Sequence, residues 1–316
     1  MGGTAGVRFA PLGRIAAAVA LIAWLGAGVP AQAADAAACG ELERKFELTK
    51  ADITSLQVNI LLFSSADRGC EPLARRLLDA GASLEARDSL GAMPLAHAAR
   101  AGQLALVDLF LDRGAPIDAR NIAGSTALYV AAENDRVAVV RRLIDKGADV
   151  NMAGRSGVTP LAAAAFKGNE RTVELLLTRK ADPKVLDATG KTAIVYAAGL
   201  GFPGIVRRLL DAGVDVNASY GNDLTALMWA AGYSDGAGVL DAEEVLKLLI
   251  ERGAAIEAAD NRGRTALMIA ADAGHASIVA ILLAHGADRA HKDKEGKTAL
   301  DLATDAGVRE KLAGRE

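Results

Sequence analysis

Aromatic residues and cysteines are scarce in this chain of 316 residues: aromatics make up 4% of it, and there are two cysteines. Two cysteines exclude a disulfide-rich mini-fold and any zinc site built from four thiolates. The formal net charge is only −3, so bulk charge would not hold the protein on nucleic acid or anionic lipid. With 51% hydrophobic residues, largely Ala, Leu and Val, the composition is that of an ordered protein.

Motifs of catalysis are also missing. The chain has no Gly-x-Ser-x-Gly elbow, no Gly-x-x-x-x-Gly-Lys phosphate loop, no His-Glu-x-x-His helix and no acidic calcium loop. His275, His285 and His291 fall close together, which leaves a metal site as an alternative to structural roles. The sequence therefore predicts a protein that is not an enzyme and that needs no cofactor or metal.

The first segment has the pattern of an export signal. Arg8 and Arg14 precede an uncharged apolar run over residues 15–29, and small residues end the segment. A run of about 15 residues is shorter than the roughly 20 that a membrane-spanning helix needs. We therefore expect residues 1–33 to be a cleaved secretory signal, with the mature protein in a bacterial periplasm or, alternatively, secreted. An uncleaved anchor and lipidation at Cys39 are further alternatives.

The rest of the chain repeats one unit. A glycine returns every 33 residues, apart from one gap, and a threonine follows two residues later in most units. The glycines are Gly91, Gly124, Gly157, Gly190, Gly263 and Gly296, with Asp223 in the remaining slot. The threonines are Thr126, Thr159, Thr192, Thr225, Thr265 and Thr298, with Met93 in the second unit. A Thr before Ala or Pro is a favourable N-cap, so a short first helix should begin there.

Each unit then shows the pattern of a second helix. Alanine pairs such as Ala164-Ala165 give the first helix a small packing face, and Val173, Leu176 and Leu177 follow at helical spacing. In five units a glycine stands where the second helix should end in a left-handed cap. These glycines are Gly114, Gly147, Gly213, Gly253 and Gly286. Each unit is therefore predicted to be a helix-turn-helix.

The repeated pattern closely resembles the ankyrin repeat family. Gly157-Val158-Thr159-Pro160-Leu161 and Gly147-Ala148-Asp149-Val150-Asn151 are near-literal copies of that family's motifs. The resemblance implies an all-α fold, an ankyrin-repeat solenoid of stacked helix-turn-helix units with short β-turn tips. The family's His after Thr-Pro-Leu is absent from every unit, so we expect the hydrogen bonds that it makes between repeats to be missing.

The repeat register divides the chain into a signal over 1–33, a leader over 34–54 and a repeat domain over 55–316. The units are expected to start near residues 55, 88, 121, 154, 187, 220, 260 and 293. The first unit is divergent and the last is polar, as suits the two ends of a solenoid. The polar stretch Glu41–Lys50 is predicted to add a helix ahead of the first unit.

One unit is longer than the others because it contains an insertion at 234–240, in the turn between its two helices. Asp241-Ala242-Glu243-Glu244 resembles a capping box that restarts the second helix after the insertion. We interpret the insertion as a surface loop, and a partner contact or a small-ligand or metal sensor as the alternatives.

The two cysteines occupy places that a disulfide could join. Cys39 lies in the leader, and Cys70 begins the second helix of the first unit. An exported protein reaches an oxidising compartment, where a bond between them would pin the leader to the stack. The chain-entropy model gives a loop of this length about 3 to 4 kcal/mol of stabilisation. Two unrelated thiols are the alternative.

Ankyrin proteins usually bind other proteins on a concave surface formed by the turn tips and the exposed ends of the first helices, so the resemblance assigns binding slots to this chain. In the middle units these slots hold Arg155, Val158, Phe166, Lys191, Leu200, Tyr220, Leu224 and Tyr233. Towards the ends they hold Arg87, Arg100, Arg120, Glu133, Arg262, Arg264, Asp272, Lys294 and Lys297. We expect Phe166 and Tyr233 to be partner anchors, and Tyr196 and Trp229 to pack between repeats.

The expected function follows from the resemblance. We expect a monomeric, non-catalytic module that binds one or more exported proteins in its groove, as an accessory or chaperone to an exported enzyme. It should bind no nucleic acid and keep no stable membrane insertion after signal cleavage. The alternatives are a small-ligand or metal sensor that uses the loop 234–240, and an enzyme whose site has no recognised motif.

Overall fold

The computed structural model of the protein describes residues 31–233 and 238–314 as a stack of helix pairs. Residues 1–30, which hold most of the predicted signal, lie outside the described residues, and so do residues 234–237 of the insertion. The described part contains no β-strand, only an isolated bridge between Tyr220 and Leu224. The predicted all-α repeat architecture is therefore confirmed over that part.

Seventeen α-helices follow one another in the described part, and a short 3-10 turn, Gly221–Asp223, precedes α12. In chain order they are α1 Ala31–Thr49, α2 Ser55–Arg68, α3 Glu71–Asp79, α4 Pro94–Ala101, α5 Leu104–Asp112, α6 Ala127–Glu133, α7 Val137–Asp145, α8 Pro160–Phe166, α9 Glu170–Thr178, α10 Ala193–Gly199, α11 Pro203–Asp211, α12 Ala226–Ala231, α13 Val239–Glu251, α14 Ala266–Asp272, α15 Ala276–Ala284, α16 Ala299–Leu302 and α17 Ala306–Ala313. The even-numbered helices from α2 are first helices, and the odd-numbered ones from α3 are second helices. Each packs on its counterpart in the next unit, which gives two parallel layers.

The threonine N-caps explain where most first helices begin. Thr126, Thr159, Thr225 and Thr298 each accept a hydrogen bond from the backbone N–H three residues ahead. Thr192 and Thr265 stand at the same position with the same extended backbone, but their side chains make no capping hydrogen bond. The prediction of a side-chain cap is therefore wrong at these two helices, where the extended backbone starts the helix alone.

The recurring glycine of each turn is required by the approach of the next unit. Gly124 has φ 78°, and a Cβ there would lie 2.6 Å from the backbone nitrogen of Arg155. A left-handed residue with no Cβ is what this contact needs. In the unit that lacks the glycine, Asp223 adopts φ 61° in the same slot. The glycine that returns every 33 residues therefore marks the contact between one turn tip and the next.

A single hydrophobic core runs through the stack between the two layers. The alanine pairs of the first helices are almost fully buried, and so are aliphatic residues of the second helices such as Leu143, Leu176 and Leu209. Small side chains let neighbouring first helices approach closely, while the larger aliphatics fill the space beneath them. Phe110 on α5 is the largest of the fully buried side chains.

The N-terminal end is closed by the leader and the first unit. Helix α1 is longer than the predicted helix at Glu41–Lys50, and it buries Leu42 and Phe46 against the first unit. A disulfide joins Cys39 to Cys70, with the two Cα atoms 5.4 Å apart. The leader is thereby attached to the stack by a covalent bond as well as by apolar packing.

The second helix after the insertion begins earlier than the sequence suggests. Helix α13 starts at Val239 with Gly238 at its N-cap, and it has 13 residues where most second helices have nine. Asp241 therefore lies within the first turn, and the predicted capping box beginning there is wrong. The extended backbone of Gly238 lets the helix start ahead of that residue, so the end of the insertion is helical. Val239 and Leu240 are exposed on it.

Candidate functional site

The turn tips of units two to eight form a continuous row, which we call the tip row. One backbone hydrogen bond joins each tip to the next. The N–H groups of Ile122, Arg155, Ala188, Gly221, Asn261 and Lys294 donate to the carbonyl groups of Leu90, Ala123, Ser156, Gly190, Asn222 and Arg262, at 2.8 to 3.1 Å. The tip row therefore presents side chains at a regular spacing of one unit, and backbone hydrogen bonds join its tips from unit two to unit eight.

Carboxylates at the start of the tips hold the turns in place. Asp88, Asp187, Asp260 and Asp293 each accept two N–H groups of their own turn through one oxygen, at 2.7 to 3.1 Å. Burial would raise the pKa of Asp187, but bonds from Tyr196, Lys191 and Thr189 outweigh it and leave that pKa below its ordinary value. These acids are therefore structural parts of the tips.

The predicted binding residues differ in how exposed they are. Arg155 and Phe166 are exposed, and 47% of the Phe166 surface is accessible. Lys191 and Leu200 are half-buried, and Val158 and Leu224 are half-buried against the core. Tyr220 is only 9% exposed and packs in the core cluster, so its assignment to the binding surface is wrong. Its backbone is held in the bridge to Leu224, which turns the ring inward.

Phe166, Tyr196 and Trp229, from three successive first helices, form an aromatic cluster with Lys167 and Lys191. The Phe166 and Tyr196 rings meet edge to face with centroids 5.5 Å apart. The Lys191 ammonium lies 5.0 Å from the Trp229 ring centroid and 5.8 Å from that of Tyr196, and Lys167 lies 5.4 Å from that of Phe166. Cation–π geometry of this kind fixes the rings and keeps the lysine charges at the surface.

Tyr196 and Trp229 are the residues that sequence reasoning undervalued at this site. Both pack partly against the core, as expected, but both are half-buried and also contact Lys191. The signal was present in the sequence, since both follow their N-cap Thr by four residues. The ring of Tyr196 lies beside Lys191, the residue before the N-cap Thr of its own unit. The ring of Trp229 lies beside the same lysine, which for Trp229 belongs to the preceding unit.

The Tyr196 hydroxyl donates a hydrogen bond to the Asp187 carboxylate. Burial, followed by this carboxylate, raises the pKa of Tyr196 to about 12. The ring is thereby held on the turn acid of its own unit. The aromatic cluster is therefore attached to the tip row by a side-chain bond.

Tyr233, the second predicted anchor, stacks on His275 of the next unit with ring centroids 3.8 Å apart. The Nδ1 atom of His275 lies 2.9 Å from the Ala231 carbonyl oxygen. Tyr233 therefore takes part in a contact between repeats, whatever further contact it makes with a partner.

A buried histidine joins the first two units, which the sequence did not suggest. His97 Nδ1 lies 3.0 Å from both Asp67 carboxylate oxygens, and its Nε2 lies 3.0 Å from Asp88. Burial would raise the pKa values of Asp67 and Asp88, but hydrogen bonds, including those from His97, leave both below their ordinary values. Histidine hydrogen bonds between repeats, expected to be missing because the family's His is absent, are therefore present at this interface, and a different position makes them. The histidine stands one position after the family slot, beside Ala96.

The C-terminal end of the groove holds a shallow polar cavity of about 320 Å³. Arg262, Arg264, Lys294 and Lys297 line it together with acidic residues. Arg264 pairs with Asp260 at 3.0 Å, and Lys297 pairs with Glu295 at 2.9 Å. The cavity is open and polar, as a surface for a charged partner would be.

The histidines that suggested a metal each contact a backbone carbonyl instead. Beside the contact of His275 with Ala231, His285 Nδ1 lies 2.8 Å from the Ile281 oxygen, and His291 Nε2 lies 3.0 Å from the Gly263 oxygen. Among the residues described, no group of three or more metal-binding side chains comes together. No described helix combines the length and the apolar character needed to span a bilayer.

Comparison with known proteins identifies the repeat. The family described as "Ankyrin repeats (3 copies)" matches residues 61–154, 95–187, 161–260 and 239–312. The crystal structure of the human ASB11 ankyrin repeat domain is similar, with a TM-score of 0.64 and 27% identity, over 71% of this chain and 98% of that one. None of the curated proteins compared with the chain matches it. Because the family matches cover most of the sequence, this chain belongs to the ankyrin repeat family.

Proposed function

We propose that this protein is an exported, non-catalytic binding module that holds a partner protein in its concave groove. The observation that carries the proposal is the aromatic cluster. Phe166, Tyr196 and Trp229 come from three neighbouring first helices, and two lysines accompany them. Aromatic side chains near charge are the usual anchors of protein interfaces, and ankyrin repeats bind protein partners.

Phe166 is the anchor best placed for a partner. Phenylalanine has no polar group that would favour water, yet nearly half of this side chain is accessible. Its ring is held at the edge of Tyr196, so little side-chain freedom remains to be lost on binding. A partner that covers the ring gains apolar burial at low entropic cost.

The proposal places the protein in a periplasm or outside the cell. The amino-terminal pattern of two arginines and an apolar run supports export, and a disulfide between Cys39 and Cys70 is suited to an oxidising compartment. In that setting a monomeric module would serve as an accessory or chaperone to an exported enzyme.

The test is capture of partners from the native exported fraction with the wild-type chain and with Phe166→Ala. We expect one protein to be enriched by the wild type and lost with the variant, since truncating a central anchor weakens binding by about 2 kcal/mol or more. Leu48→Ala is the matched control, because Leu48 is an exposed apolar residue of the leader helix.

Equal capture by wild type and Phe166→Ala would contradict the site assignment. Loss of capture with Leu48→Ala as well would show that general surface hydrophobicity, rather than the groove, drives binding. Capture of no protein at all would contradict the function and favour a small-ligand sensor or an enzyme.

A further inference from the structure

Charged residues on the second helices are paired from unit to unit. Asp79 bonds Arg113 at 3.2 Å, Asp112 bonds Lys146 at 3.0 Å, and the same arrangement joins Asp145 to Arg179 and Asp211 to Arg252. We call these four contacts the outer ion pairs. Each couples the end of one second helix to the end of the next. On this face, many basic side chains are already matched by a carboxylate of the protein itself.

Some basic side chains of the tip row are not matched in this way, although Arg264 and Lys297 are. Within residues 31–233 and 238–314, Arg120, Arg155, Lys191 and Arg262 form no ion pair with a carboxylate. The ion pairs found there involve other groups. The turn acids do not serve these four. One oxygen of each acid accepts backbone N–H groups of its turn, and the other meets His97 in Asp88, Tyr196 in Asp187 and Arg264 in Asp260. The positive charge of these four residues is thus left for an outside group.

Two other basic residues of the tip row donate hydrogen bonds to backbone carbonyl groups. Arg87 donates to the Gly91 and Arg120 oxygens at 2.8 Å, and Lys294 donates to the Asn261 oxygen at 2.8 Å. A carbonyl group orients a cation without neutralising it. These contacts therefore hold the charges in place at the two ends of the row.

Basic residues lie along most of the groove, and the aromatic cluster lies in its middle. Arg87 and Arg120 lie just before units two and three, the aromatic cluster spans units four to six, and Arg262 and Lys294 lie in units seven and eight. Arg155, Lys167 and Lys191 add charge in units four and five, whereas the tip of unit six carries Asp223 and Leu224 and no basic residue. Basic residues therefore stand on both sides of the aromatic cluster as well as beside it.

We propose that the groove binds an extended polypeptide segment with acidic residues on both sides of an apolar or aromatic centre. The inference rests on the protein-binding function proposed above and specifies the chemistry of the partner. Acidic side chains of the segment meet Arg87 and Arg120 at one end and Arg262 and Lys294 at the other. Its apolar centre covers Phe166 and lies against Tyr196 and Trp229.

The tips favour a polypeptide over a nucleic acid. Leu90, Ile122 and Leu186 stand exposed on the tips among the basic residues, and they offer nothing to a phosphodiester backbone. Asp223 in the middle of the row would repel phosphate groups. An acidic segment with apolar side chains can use both kinds of tip residue.

The stack sets the length of segment that reaches both ends. Helices pack about 8 to 10 Å apart, so the six steps from unit two to unit eight span roughly 50 to 60 Å. An extended chain advances about 3.3 Å per residue, which gives about 15 to 18 residues. Acidic blocks should therefore lie near the ends of such a segment.

The test is a fluorescence-anisotropy titration of the full chain with synthetic peptides of about 18 residues. The first peptide has glutamate blocks at both ends of a Leu/Phe centre, the second has the same composition with the acids in the centre, and the third has lysine in place of glutamate. Single-stranded DNA of similar length is the fourth probe. We expect the first peptide to bind at least tenfold more tightly than the other three.

Charge reversal then locates the surface. Arg120→Glu with Arg262→Glu should weaken the first peptide at least tenfold and reduce the salt dependence of binding. Arg141→Glu with Arg171→Glu, on the exposed surfaces of α7 and α9, changes the net charge equally and should leave binding unchanged. Circular dichroism of both variants checks that they fold.

Each other outcome overturns the inference. Equal weakening by the two double variants would mean that bulk charge attracts the peptide. Tighter binding of the peptide with central acids would mean that the acidic residues of the partner do not lie at its two ends. Tighter binding of DNA or the lysine peptide would mean the wrong partner chemistry. If a captured protein still depends on Phe166 but none of the peptides binds, the partner chemistry fails while the proposed function stands.

Discussion

The two faces of this stack use charge in opposite ways. On the second helices, Asp145 and Arg179 form one of the outer ion pairs between consecutive units, and the pattern recurs along the stack. On the tips, Arg155 lies exposed and forms no ion pair with a described carboxylate. The outer face thus pairs many of its charges from unit to unit, whereas several basic residues of the tips meet no carboxylate of the described chain.

In a repeat protein such a contrast indicates where a partner binds. A side chain that is buried or paired by its own fold contributes mainly to stability, whereas an exposed ring or an unpaired cation is also available to a partner. Phe110 and Phe166 make the same comparison for aromatic residues, because one is fully buried and the other is 47% exposed. Predictions follow for both faces.

The largest effect is expected from the buried phenylalanine. Phe110→Ala should lower the free energy of unfolding by about 3 to 5 kcal/mol, because it leaves a cavity in the core. Phe166→Ala should lower it by about 1 kcal/mol, the scale of a lost ring contact. Urea denaturation followed by circular dichroism measures both, and equal losses would contradict the assignment of Phe166 to the binding surface.

Loss of the disulfide at the N-terminal end should have the second-largest effect on stability. Reduction of the bond between Cys39 and Cys70 should lower stability by about 3 kcal/mol, since the bond closes a loop with a sequence separation of 31. Hydrogen exchange should accelerate in α1 and α2 and stay unchanged in the middle units, because repeats couple only to their neighbours. The Cys39→Ala, Cys70→Ala variant is the control, and reductant should not affect it. Uniform acceleration along the stack would contradict this view of the end.

The outer ion pairs should give a small effect. Asp145→Ala should lower the free energy of unfolding by about 0.2 to 1 kcal/mol, and added salt should reduce the difference. Arg155→Ala on the tip row should change stability by less than about 0.5 kcal/mol. Denaturation at low and high salt compares them. A larger loss from Arg155→Ala would mean that the tip arginine is structural.

The smallest effect is expected from Tyr196 and appears only at high pH. Its pKa of about 12 lies above that of an unfolded tyrosine, about 10, so the folded chain keeps this proton longer. The stability from this group is therefore complete below pH 10 and is lost as the pH rises towards 12. Ultraviolet titration of wild type and Tyr196→Phe should show one late transition missing from the variant. Identical late transitions would exclude the bond to Asp187.

The repeat architecture was predictable because the same residue pattern recurs in each unit. The recurring glycine marks a left-handed turn residue at a close contact between tips, and most of the threonines mark helix starts with a local hydrogen bond. Local rules of this kind can be read from a few neighbouring residues. They fail at Gly238, because an extended glycine can start a helix as well as the capping box beyond it.

The contacts of the site were harder to predict because they join different units. Tyr220 occupies a binding slot in the register, but its backbone bridge to Leu224 turns it inward. His97 bonds an acid 30 residues away, and Lys191 meets Trp229 in the following unit. Such pairs depend on how far one unit rotates against the next, which a period in sequence does not specify.

Site-specific photo-crosslinking in the native exported fraction would show most directly whether a partner binds in the groove. A photoreactive phenylalanine analogue is placed at Leu200, beside the aromatic cluster, and in a second chain at Arg171 on the outer face. We expect a crosslinked partner from position 200 and none from position 171. A partner crosslinked from position 171 alone would contradict binding in the groove.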